Sequence, residues 1–122
     1  MARIALVDDD RNILTSVKMT LEGEGFEIDT YSDGQSALEA FYRKQPDIVV
    51  LDIKMPGMDG VETLKEIKKR FPIVEVILLT GHGTIDTAVE GMKLGAFDYL
   101  LKPADTKEMA TKLESARKRK DE

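Results

Sequence analysis

The sequence predicts an α/β domain of five consecutive βα units, a doubly wound parallel sheet with helices on both faces. Three observations carry this. Short apolar runs such as Ile4 to Val7 and Ile48 to Leu51 lack polar alternation, the pattern of strands buried on both faces. Each is followed by a stretch in which apolar residues recur at helical spacing. Right-handed crossovers between such strands leave few topologies.

The elements follow in order. Residues 3–7 form a first strand that ends in three acids. A helix over 11–23 places Leu14, Val17 and Leu21 on its core stripe, with Asp10 as N-cap, and Glu24-Gly25 closes it. Residues 26–31 alternate and read as the second strand. Asp33 or Ser36 starts a helix to about Lys44, with Ala37, Leu38, Ala40 and Phe41 inward, and Gln45-Pro46 stops it. Residues 48–51 are the third strand and run into Asp52. A turn-rich loop over 55–60 leads to a helix over 61–70, buried through Leu64 and Ile67 and broken by Phe71-Pro72. Residues 74–80 are the fourth strand, 81–83 a loop and 84–93 a weaker helix. The fifth strand, 97–101, ends at Lys102-Pro103. Asp105 or Thr106 caps a last helix that runs into the basic residues 117–120.

Length and composition bound the function. At 122 residues the chain reads as one domain with its core at about 3–117. Its net charge of −5 argues against a nucleic-acid-binding module. With no cysteine, disulfides, thiolate catalysis and Cys-ligated zinc are excluded. A single histidine, His82, excludes two-histidine chemistry. No apolar run is long enough to cross a membrane, and the N-terminus lacks the pattern of a signal peptide. The expected location is the cytoplasm.

In parallel α/β sheets, ligands gather at the carboxyl ends of the strands. Asp8, Asp9 and Asp10 follow the first strand, Asp52 ends the third, Thr80 the fourth and Lys102 the fifth. Each alone is an ordinary turn former or strand end; together, on successive units, they suggest a site. Carboxylates ~5 Å apart repel by about 3 kcal/mol per pair at an effective dielectric of ~20, so the cluster costs stability unless a cation compensates it. Oxygen ligands favour a hard divalent ion, Mg²⁺ above all, with Mn²⁺ as a substitute. A carboxylate beside that ion can act as a nucleophile and form an aspartyl phosphate. Lysine would balance charge on the phosphoryl oxygens, and the threonine hydroxyl would donate a hydrogen bond to one.

These residues resemble the response-regulator receiver domains of two-component signalling, the CheY-like family. The matching stretches are Val7-Asp8-Asp9-Asp10, Leu51-Asp52-Ile53-Lys54-Met55-Pro56-Gly57-Met58-Asp59-Gly60, Thr80-Gly81, and Gly95 through Pro103. The second half is most similar to receivers of NtrC-type regulators. The resemblance implies a flavodoxin-like fold with strand order 2-1-3-4-5. It implies Asp52 as phosphoacceptor, and Asp8, Asp9, Asp52 and the Lys54 backbone carbonyl as Mg²⁺ ligands, Asp8 through water. Thr80 and Lys102 would bind the phosphoryl group, Gly81 would follow it, and Tyr99 would swing inward on activation. Lys102-Pro103 matches the family's cis peptide. Lys54 and His82 would tune dephosphorylation. Ile13, Ser16, Met19 and Thr20 on the first helix would contact the kinase.

Propensity adds an expectation of its own. The fourth helix carries the β-branched Thr84, Ile85, Thr87 and Val89 and a mid-helix Gly91, so it should be the least stable helix. The switch surface is then helix 4, strand 5 and helix 5. Met55 and Met58 are expected to pack within their loop, and residues 117–120 to be a solvated helix end. The functional expectation is a phosphorylation-controlled switch. It would be loaded by a histidine kinase or phosphotransfer protein, and would bind a downstream protein or effector domain, or dimerise. It would catalyse only its own phosphorylation and dephosphorylation. A haloacid-dehalogenase-like phosphatase also forms an aspartyl phosphate, but it has Asp-x-Asp after its first strand, whereas Lys54 stands two after Asp52 here. A phosphate-independent scaffold is the remaining alternative.

Overall fold

A computed structural model of the protein describes residues 2–54, 59–81 and 85–121. Five strands alternate with five helices: β1 (Arg3–Val7), α1 (Arg11–Gly23), β2 (Glu27–Tyr31), α2 (Gly34–Phe41), β3 (Ile48–Asp52), α3 (Gly60–Arg70), β4 (Glu75–Thr80), α4 (Ile85–Lys93), β5 (Asp98–Leu101) and α5 (Thr106–Asp121). The strands form one sheet in the order β2-β1-β3-β4-β5, and every pairing is parallel. The expected architecture and strand order are both present.

The sheet divides the core into two layers. On one face, Ala37, Leu38 and Phe41 of α2, Leu64 and Ile67 of α3 and Ala88 of α4 pack on Val7, Val49, Leu51, Val76 and Leu78. On the other, Leu21 of α1 and Met109, Leu113 and Ala116 of α5 pack on Ile4, Leu6, Val50, Ile77 and Leu79. Each central strand therefore buries both of its faces, which is why its sequence lacks alternation. Of the predicted α1 stripe, Leu21 is buried while Leu14 and Val17 are half-buried at the layer's edge. Ala40 is likewise only half-buried on α2.

Boundaries shift by a residue or a few where hydrogen bonding overrides pattern. Phe26 belongs to the turn, since its N–H donates to Leu21 O, so β2 starts at Glu27. Asp33, not Ser36, caps α2, accepting from Ser36 N at 2.7 Å. That helix ends at Phe41 rather than Lys44, because the N–H groups of Arg43 and Lys44 both turn back to Ala40 O. Helix α3 begins at Gly60, with Asp59 accepting from Glu62 N. Val74 and Phe97 precede their strands, β4 and β5. Asp10 caps α1 as expected, accepting from Asn12 N and Ile13 N.

Gly91 has a packing reason that propensity does not reveal. A Cβ there would collide with Leu78 Cδ1, so the missing side chain lets α4 lie close on β4. The predicted helix start at Thr84, and the Met55 and Met58 packing, lie outside the described residues. Among the described residues, no helix is long and apolar enough to cross a membrane.

Candidate functional site

Strands β1 and β3 are neighbours in register, Val7 beside Leu51. Their carboxyl ends therefore deliver Asp8 and Asp52 to one place. Asp8 is fully buried and Asp52 nearly so, while Asp9 is exposed at the rim. One carboxylate oxygen from each of Asp8, Asp9 and Asp52 lies within 4.8 Å of the others. The turn after β1 secures Asp8: its N–H donates to Tyr31 O at 3.1 Å, and its Oδ1 accepts from Asp10 N at 2.9 Å.

Lys102 closes the cluster from the end of β5. Its Nζ stands 3.0 Å from Asp8 Oδ2 and 3.3 Å from Asp52 Oδ1. The Lys102–Pro103 peptide is cis. Lys102 N donates to Thr80 O at 2.8 Å, tying the ends of β4 and β5 together. Asp52 Oδ1 also accepts from Lys54 N at 3.2 Å. Asp8 Oδ2 is buried and has the lysine as an ion-pair partner, but no hydrogen bond of good geometry.

One ammonium cannot neutralise this cluster. Burial pushes the Asp52 carboxyl up to about 6, and the Asp8 charge adds to it, while Lys102 and the Lys54 N–H pull the other way. Burial alone would lower Lys102, yet its two carboxylate neighbours outweigh it and leave the ammonium raised. The donor set fits a hard cation. It consists of carboxylate oxygens, one of them buried without a directed hydrogen bond, and its negative charge exceeds that of the single lysine.

The threonine is buried at the same end of the sheet. Thr80 Oγ1 donates to Gly81 O at 3.0 Å. Tyr99 is half-buried against the α2–α3–α4 layer. Lys112 of α5 secures it: Nζ donates to Tyr99 O at 2.6 Å, lies 5.6 Å from the ring centroid and pairs with Asp98 at 3.3 Å. Sequence reasoning missed Lys112, because a lysine ten residues past Lys102 on a helix carries no local signal of what it meets. It gave Gly60 no role beyond its place in the matching stretch. Its N–H donates to Ile53 O at 2.8 Å, and a Cβ there would collide with Asp52 O and the Ile53 backbone, so α3 starts against the strand end that carries Asp52. His82 lies outside the described residues.

On α1, Ile13 is half-buried, Ser16 and Thr20 are exposed, and Met19 is 70% exposed. Ile13, Ser16 and Val17 form one wall of a cavity of about 360 Å³ that reaches Lys102, with Pro103, Ala104 and Met109 opposite and Leu79 between. Ser16 and Thr20 border a second cavity of about 190 Å³ along the same α1–α5 groove. Met19 borders neither.

Known proteins place this arrangement. Residues 4–114 match the response regulator receiver domain. The transcriptional regulator NtrC of Escherichia coli K12 is 44% identical over 111 residues, covering 91% of this chain and 24% of that protein. The regulatory protein ZraR of Klebsiella oxytoca is 42% identical over 113 residues, covering 93% of this chain and 26% of its own length. The chain thus spans about a quarter of the curated relatives it matches. Among solved structures, the receiver domain of NtrX from Brucella abortus superposes with a TM-score of 0.91 at 38% identity, covering 94% of this chain and 98% of that one. A receiver domain protein from Clostridium thermocellum gives 0.95 at 40% identity, covering 99% and 98%. With its strand order, its acidic strand ends and these likenesses agreeing, the chain belongs to the response regulator receiver domain family of two-component signalling, in its NtrC- and NtrX-like branch.

Proposed function

We propose that Asp52 is the phosphoacceptor of a switch loaded by a sensor histidine kinase or phosphotransfer protein. The observation that carries this is Lys102 Nζ standing between Asp8 and Asp52, at 3.0 and 3.3 Å. An Asp52 oxygen attacks the phosphorus; the bond to the donor's histidine nitrogen breaks, and the electron pair stays on the imidazole. The attacking oxygen must be ionised, which the Lys102 ammonium and the Lys54 N–H both favour. Lys102 then offers its charge to the transferred phosphoryl oxygens.

Asp8, Asp9, Asp52 and the Lys54 carbonyl would hold Mg²⁺, or Mn²⁺ in its place. When bound, the ion supplies charge neutralisation for the incoming phosphoryl oxygens. The chain's own part is to keep Asp8 and Asp52 fixed at adjacent strand ends. Transfer loads the domain, and the same groups assist its hydrolysis; no other substrate is turned over.

The output follows from Thr80. Its hydroxyl leaves Gly81 O for a phosphoryl oxygen, carrying Gly81 with it, and Tyr99 moves inward. The face altered is α4–β5–α5, where Val89, Met92 and Leu101 are exposed apolar residues that suit a partner. That partner is a downstream effector domain or a second copy. The phosphodonor docks at the α1–α5 groove, which opens beside Lys102. Reductive trapping of the acyl phosphate after loading with acetyl phosphate and Mg²⁺, followed by peptide mapping, tests the assignment. Modification at Asp52 supports it; modification confined to another carboxylate refutes it.

A further inference from the structure

At the pole opposite the acidic site, Glu75 opens β4 with its side chain only 10% exposed. A carboxylate in that setting needs cationic partners. Two reach it, one from each layer. Lys68 of α3 comes within 3.8 Å of Oε1, and Arg119 of α5 within 3.1 Å of Oε2. Lys68 is held independently, because its Nζ also donates to Pro72 O at 3.0 Å and Val74 O at 2.8 Å. Arg119 instead adds the Phe97 ring, with its guanidinium carbon 5.4 Å from the centroid.

Toward the end of α5, Arg117 pairs with Glu114 along the helix at 3.0 Å, while Arg119 reaches the sheet. Ala116 is the last buried residue among the described side chains of the helix, and Arg117, Lys118, Arg119, Lys120 and Asp121 follow it. Four successive cations repel one another, and Lys68 lies close enough to add to the repulsion on Arg119. Beyond Ala116 the Glu75 carboxylate and the Phe97 ring tie Arg119 to the sheet.

We propose that Glu75 and Arg119 form an electrostatic latch that docks the last turn of α5 onto the start of β4 and the approach to β5. The two anchor points belong together, since Phe97 N donates to Val76 O at 2.7 Å. When the latch is closed, the end of α5 is fixed to the start of β4, whose other end carries Thr80, and to Phe97, two residues before Tyr99. When it is open, the turn beyond Ala116 frays and the Arg119 side chain is released. The latch depends on charge, so salt weakens it: at ~1 M ionic strength the screening length falls to ~3 Å.

Amide exchange at residues 117–119, with the Arg119 Nε–H resonance and its contact to the Phe97 ring, tests this on the whole chain. Arg119→Gln should speed exchange there about threefold or more and leave residues 76–79 unchanged. Glu75→Gln with Arg119→Gln should match the single Arg119 variant, because both remove one interaction. Wild type at ~1 M salt should move toward the variant. Arg119 is largely exposed, so its variant folds even if the Glu75 one does not. Wild-type exchange in Arg119→Gln overturns the latch; fast exchange in that variant with no salt response in wild type overturns its electrostatic nature.

Discussion

Asp52 is a carboxylate whose charge the fold penalises when no cation is bound. Its folded value of about 6 stands above the 3.8 of a free side chain, so the folded state holds the proton more tightly. The stability this contributes is complete below about pH 4 and is lost as pH rises through 6. Asp52→Asn keeps the shape and removes the titration. In chelator, the variant should match wild type near pH 4 and exceed it above pH 6, by an amount on the order of 3 kcal/mol at most. Denaturant melts across that range check this; a gap that is flat or shrinks with pH contradicts it. Asp9→Ala, at the exposed rim, should weaken Mg²⁺ binding yet leave the melting temperature in chelator unchanged or raised. A large loss of stability in chelator would show that Asp9 is a structural residue instead.

Helix α4 shows where propensity and packing disagree. By propensity, Gly91→Ala should stabilise the helix by about 1 kcal/mol. By packing, the new methyl meets Leu78, a buried residue of β4, and overpacking costs about 1–3 kcal/mol. The packing effect should win, so Gly91→Ala should lower the denaturation midpoint; a raised midpoint would show that α4 is loosely seated. The coupling of β4 to this region is tested by Thr80→Ala. It should still accept phosphate but lose most of the phosphorylation-dependent change in hydrogen exchange across 85–101. An undiminished change would remove the hydroxyl from the account.

At the scale of the whole molecule, the site was legible because it is built from strand ends. Asp8, Asp52, Thr80 and Lys102 each follow an apolar run, and parallel topology brings the ends of such runs together. Strand order needed the family resemblance, since crossovers alone leave several topologies. Lys112 on Tyr99, Arg119 on Glu75 and Leu78 beneath Gly91 were illegible, because each contact joins elements whose approach no local pattern encodes. The groove between α1 and α5 was half legible: Ile13, Ser16 and Thr20 border it, while Met19 does not. Ser16 and Met19 changed together to Glu should block transfer from the cognate kinase and spare labelling by acetyl phosphate. Because Met19 lies off the groove, Ser16→Glu alone should account for most of the block.

The central claim is that Asp52 accepts the phosphoryl group in a cation-dependent reaction, and intact-mass spectrometry after incubation with acetyl phosphate tests it most directly. Wild type in Mg²⁺ should gain one phosphoryl group, lost on brief exposure to base. Chelator should abolish the gain, and Asp52→Asn should abolish it with Mg²⁺ present. An Asp52→Asn variant that gains the same base-labile mass at the wild-type rate would contradict the account.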